Sequence, residues 1–153
     1  MSHNQNAIQA VQSLQFRASA DKIESIIEWQ YLLEDQMTVL FHYTDKSGWN
    51  GIRSQIDWIF RAVQPHDPSR PVGAYFTDIS PNPETLRTLH KRLRVPKSKQ
   101  EYVFKFREAT ALVKLNGGSG RDKRIYFSSV DYLVAADRQE YHGPTTDILQ
   151  GGL

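Results

Sequence analysis

The chain has 153 residues, no cysteine, 39% hydrophobic and 24% charged residues, and a formal net charge of +2. These values fit one globular domain with a real core, and the lack of cysteine excludes a disulfide framework and thiolate chemistry. No apolar run is long enough to span a membrane, and the small net charge does not by itself imply nucleic acid.

The opening Met1-Ser2-His3-Asn4-Gln5-Asn6 lacks the basic-then-apolar order of a signal peptide, so a cytoplasmic location is expected. Residues 1–18 are polar, with weak helical spacing at Ile8, Val11 and Leu14; they read as a tail or a loosely docked helix. Residues 19–153 read as one domain. Asp21-Lys22-Ile23-Glu24 has capping-box spacing, and Ile23, Ile26, Ile27 and Leu33 continue a helical stripe to about Asp35. Thr38 to Tyr43 is strand-like. Asp45 can cap a short helix through Trp49, Ile52 and Gln55. Ile56–Val63 and Val72–Thr77 read as strands, separated by a loop that Pro65, Pro68 and Pro71 keep irregular. Ser80 and Pro81 open a helix striped by Leu86, Leu89 and Leu93 and stopped by Pro96. Strand patterns follow at Tyr102–Phe106, Ala111–Leu115, Arg124–Phe127 and Tyr132–Ala135, with a turn at Asn116–Gly120. The order predicts an α+β domain with a bent or split antiparallel sheet.

The chemistry-bearing residues are few. The five histidines show no i+3 or i+4 pairing and no His-Glu-x-x-His, so no metal site is expected. There is no phosphate loop ending in Gly-Lys-Ser/Thr and no Gly-x-Ser-x-Gly elbow. Gly117-Gly118-Ser119-Gly120 reads as a flexible turn. What remains is a ring-bearing polar residue at each of two strand ends: His42 in His42-Tyr43-Thr44 and Tyr75 in Tyr75-Phe76. A histidine can donate a hydrogen bond to a ribose hydroxyl, a tyrosine offers a flat face to a base, and a carboxylate can stabilise an oxocarbenium ion. Arg87, Lys91, Arg92, Arg94, Lys97 and Lys99 crowd one stretch and form a solvated basic surface or one that attracts a polyanion.

His42-Tyr43-Thr44, followed by Gly48-Trp49-Asn50-Gly51-Ile52, resembles the first motif of ADP-ribosyltransferases with a His-Tyr-Asp signature. Gly73-Ala74-Tyr75-Phe76-Thr77-Asp78 is similar to their second motif and to the Gly-Ile-Tyr-Phe-Ala-Asp segment of poly(ADP-ribose) polymerases. Asp131-Tyr132-Leu133-Val134 is similar to the late Glu-Tyr-Ile-Val strand of the polymerases, with Asp for Glu. Glu101 and Glu140 are the competing acids. The resemblance covers residues 38–136 and implies split antiparallel β-sheets with flanking helices. It implies NAD as substrate, with His42 on the adenosine-side ribose and Tyr43 backbone, next to Thr44, on the nicotinamide amide. It further implies Tyr75 stacked on the nicotinamide ring, Asp131 at the nicotinamide ribose, and Arg53 with Ser54 near the phosphates. The shorter acid implies mono-ADP-ribosyl transfer rather than polymer formation. The alternatives are an NAD glycohydrolase with water as acceptor, and an inactive NAD- or ADP-ribose-binding module. The acceptor, whether protein, nucleic acid or small molecule, is not implied.

Overall fold

The structure, a computed structural model, describes residues 21–29, 37–108 and 112–150. The chain divides into two compact units, Met1–Met37 and Thr38–Leu153. The boundary therefore falls at Thr38, later than the expected start at residue 19. The expected tail over residues 1–18 lies outside the described residues. In the first unit residues 21–29 are helical (α1), and the continuation expected to about Asp35 lies outside the described residues. Among the described residues no helix is long and apolar enough to cross a membrane.

The second unit mixes antiparallel sheets with short helices. Its elements are β1 (Thr38–Thr44), α2 (Lys46–Arg53), β2 (Trp58–Phe60), β3 (Ala74–Thr77), α3 (Pro83–Leu86) and α4 (Leu89–Leu93). Then come β4 (Tyr102–Glu108), β5 (Val113–Lys114), β6 (Ile125–Ser128), β7 (Tyr132–Val134), β8 (Gln139–Pro144) and α5 (Thr145–Gln150). One sheet has six strands in the order β5-β6-β3-β1-β4-β8, and a separate pair joins β2 to β7. All the pairings are antiparallel. The α+β class and the division into two sheets are thus as the sequence pattern predicts.

The alternation along β1 builds the core on both sides of the large sheet. Leu40 joins Trp58, Phe60, Phe76, Phe104, Phe106 and Val134 between the two sheets. Phe41 and Tyr43 point the other way, to Leu89 and Leu93 of α4, Ile148 of α5, and Leu115. This is the period-2 rule that sends successive strand residues to opposite faces. The inter-sheet core is aromatic. Phe60 meets Phe76 and Phe104 edge-on, with centroids 5.2 and 5.6 Å apart, the geometry favoured by ring quadrupoles.

The expected single helix after Ser80 is two short ones. Asn82, not Ser80, caps the first: its side chain accepts from Glu84 and Thr85 backbone N–H, and Thr85 completes a capping box. Arg94 ends the second in the left-handed region at φ 56°. The strand over Gln139–Pro144 was not expected. Its polar alternation is legible only once β4 stands beside it, where a register shift between Lys105 and Phe106 bends the pair. Phe60 is 1% exposed and touches both sheets. Phe60→Ala should lower unfolding free energy by about 3–5 kcal/mol, read as an earlier urea midpoint at unchanged slope.

Candidate functional site

β1 pairs with β4 along its whole length, from Thr38↔Glu108 to Thr44↔Tyr102. With β3 it shares one register pair, Phe41↔Thr77. The start of β3 is held elsewhere: Gly73 N–H donates to Val63 O at 3.0 Å, and Gly73 O accepts from Val63 N–H at 3.2 Å. A Cβ on Gly73 would lie 2.8 Å from Ser128 O, so only glycine lets β3 press this closely on β6. Drawn toward Val63, β3 parts from β1, and a cavity of about 480 Å³ opens beside the gap.

His42 bridges the parting strands. Its Nδ1 lies 2.8 Å from the backbone oxygen of Tyr75. A carbonyl only accepts, so Nδ1 carries the proton. The ring sits among Phe60, Phe76 and Phe104, with centroids 4.7, 5.8 and 6.4 Å away. Burial lowers its pKa to about 4; the Tyr75 carbonyl opposes this, and the Lys99 charge adds to it. At neutral pH the ring is therefore uncharged, and Nε2 is left as an acceptor. The expected donation from His42 to a ribose hydroxyl is corrected in sense: the hydroxyl would donate to His42.

Tyr75 lines the same cavity from the opposite face of the sheet. Its ring stacks on Phe127 at 5.9 Å and packs against the α4 side of the core. Its hydroxyl donates to Pro71 O, and burial raises its pKa. His42 and Tyr75 are thus not neighbours on one face. They meet in one wall because the cavity reaches both faces through the gap between β1 and β3.

Tyr43 and Thr44 also line the cavity. Burial raises the Tyr43 pKa, and its hydroxyl donates to Ile79 O at 2.9 Å. Thr44 abuts α2 so tightly that a Cβ on Gly48 would fall 2.1 Å from Thr44 Oγ1. That contact brings Gly48, Gly51, Ile52 and Gln55 of the α2 segment into the wall. Asp45 caps this helix, accepting from Gly48 N–H at 2.8 Å, and its other oxygen lies 2.6 Å from Lys99 Nζ. Lys99 also lines the cavity.

The other expected residues lie outside the wall. Arg53 is exposed, with its guanidinium 4.2 Å from the Trp49 ring centroid and its Nε bonded to Asn50. Ser54 turns back to Gly51 O. Asp131 is exposed at the foot of β7, where its carboxylate accepts from Ala62 N–H at 2.8 Å. Ala62 stands between the wall residues Arg61 and Val63, so Asp131 lies behind the rim. Glu101 is exposed at the start of β4. Glu140 is held by Lys105 and Arg107. No carboxylate stands among the described wall residues, and β6 contributes Ile125 there.

Sequence reasoning missed Arg70. It lies in an ordinary Ser-Arg-Pro segment, and nothing local distinguishes it. Arg70 is 6% exposed and lines the cavity below Tyr75. Its NH1 donates to Leu93 O at 2.6 Å, its NH2 meets Asp122 at 2.8 Å, and its Nε has no partner. Asn116 donates to the other Asp122 oxygen. Among the described residues no cluster of His, Cys, Asp or Glu is suited to a metal ion. In comparisons with known proteins, no family model, curated protein or solved structure matches the chain.

Two measurements check this electrostatic reading. The folded pKa of His42 is below the ordinary value of about 6.5, so the unfolded chain binds the extra proton first as pH falls. The His42 contribution is therefore complete above pH ~6.5 and fades toward pH ~4, by about 3 kcal/mol at most. Denaturation of wild type and His42→Gln across that window should give curves that converge at low pH. Arg70→Ala leaves Asp122 buried without its cation and should cost about 3–5 kcal/mol in the same assay.

Proposed function

We propose that the Thr38–Leu153 unit is an ADP-ribosyltransferase-like domain that takes NAD into this cavity, breaks its nicotinamide–ribose bond and passes ADP-ribose to an acceptor. The observation that carries the reading is the His42–Tyr75 connection. Two sequence motifs, 33 residues apart, meet in one cavity wall where strands that share a sheet separate.

The wall suits the proposed chemistry. In NAD the scissile bond joins ribose C1′ to a positively charged ring nitrogen. On cleavage the bonding pair stays with nicotinamide, which leaves neutral, so no general acid is required. The aromatic face of Tyr75, backed by Phe127, and the apolar Ile125 in the wall favour such a leaving group. The cation left on the ribose is quenched when an acceptor lone pair forms the new bond to C1′ and the acceptor loses its proton. The neutral His42 offers Nε2 to a ribose hydroxyl. Arg61 gives the pyrophosphate counter-charge from the wall, while Lys99 there is already paired with Asp45. The acid remains Asp131 in this reading. It is one residue behind the rim, and release of Ala62 N–H would free it to face the ribose. A cytoplasmic location, where NAD is abundant, belongs to the same proposal.

One observation favours a second reading. With no carboxylate among the described wall residues, the same cavity would hold NAD or ADP-ribose without turning it over. Nicotinamide release and calorimetric NAD binding separate the two. Release supports the enzyme: with water alone it is a glycohydrolase, and with label fixed to an added acceptor a transferase. Binding without release supports the module. In either case His42→Ala should weaken NAD binding about tenfold, because a ligand contact is lost and Tyr75 O is stranded. Asp131→Ala should abolish release and spare binding. Unchanged NAD binding in both His42→Ala and Tyr75→Ala variants would sink the nucleotide reading.

A further inference from the structure

We infer that the segment from Thr85 to Gln100 is a docking surface for single-stranded nucleic acid, placed to deliver an unpaired nucleotide to the cavity. The segment carries Arg87, Lys91, Arg92, Arg94, Lys97 and Lys99 and has no acidic residue between Glu84 and Glu101. Arg94 and Lys99 are committed to Asp67 and Asp45. Arg87, Lys91, Arg92 and Lys97 are exposed and form no salt bridge among the described residues. The segment is also part of the cavity: Leu93, Val95 and Lys99 stand in its wall. Its buried side is fixed by Leu89 and Leu93 in the core, which leaves the cations of α4 pointing outward.

The make-up of this surface selects the partner. Protein interfaces draw on an apolar centre, and membrane binding needs apolar groups to insert. Among the described residues the exposed large hydrophobic ones are Ile56, Val63, Val72, Val113, Val130, Leu133 and those of α1, and none falls between Glu84 and Glu101. A cationic surface without exposed apolar residues gains affinity by neutralising phosphates and releasing counterions. Arginine among the cations suits phosphate oxygens, which it can bond in pairs. The adjoining cavity is concave, and a base stacked in a duplex cannot enter it, whereas an unpaired one can. Docking stands on this surface alone. The role of the strand as ADP-ribose acceptor rests on the NAD reading.

Fluorescence anisotropy of the full chain with a short labelled oligothymidylate tests the inference. Binding should weaken with salt at a log–log slope of about −3, the value for four phosphates on a single strand. The K91E/R92E/K97E variant should bind at least tenfold more weakly at low salt, with a slope nearer zero. Its NAD binding should be unchanged, because none of the three residues lines the cavity. Equal binding by the variant, or none by wild type at low salt, overturns the proposal. So does tighter binding of the matching duplex, of polyglutamate, or of phosphatidylserine vesicles. Loss of NAD binding in wild type would remove the acceptor role and leave oligothymidylate binding as the separate readout of docking.

Discussion

One hydrogen bond organises this site. Where β3 leaves β1, the Tyr75 carbonyl faces a strand that has moved out of ladder range. His42 Nδ1–H fills that position at 2.8 Å. A buried carbonyl without a donor is costly, so the imidazole allows the strands to separate without stranding it. The same bond fixes the tautomer, and the aromatic surroundings keep the ring neutral. Sheet geometry, cavity and acceptor chemistry at Nε2 thus follow from one side chain. The Val63–Gly73 bridge supplies the other half of the constraint by holding β3 open.

Much of the frame was legible because it depends on local pattern. The β-branched and aromatic run Thr38–Tyr43 predicts a strand, and β1 covers it as Thr38–Thr44. Asp45 is a readable cap because its side chain needs only its own next turn. The failures are non-local. β2 shrinks to Trp58–Phe60 because β7 offers only Tyr132–Val134 to pair with. The α3–α4 break follows from an Asn82 cap and a left-handed Arg94, and a leucine stripe records neither.

The site divides along the same line. His42, Tyr43, Thr44 and Tyr75 were found because they sit in compact motifs, and all four line the cavity. That His42 and Tyr75 occupy opposite sheet faces was not readable, since it depends on the β1–β3 register and on the gap. Arg70 was invisible for a related reason: its partners Leu93 and Asp122 are 23 and 52 residues away. The acid was the weakest inference from sequence. Asp131, Glu101 and Glu140 are each occupied or exposed outside the wall, and the cations Arg61, Arg70 and Lys99 stand in it.

The single Phe41↔Thr77 pair has a mechanical meaning. β1, β4 and β8 form one well-knit half of the large sheet, and β3, β6 and β5 form the other. Their seam holds one register pair and one imidazole. A molecule lodged along it would touch both halves and serve as the missing rungs between them. Occupancy and cohesion of the sheet would then be the same event.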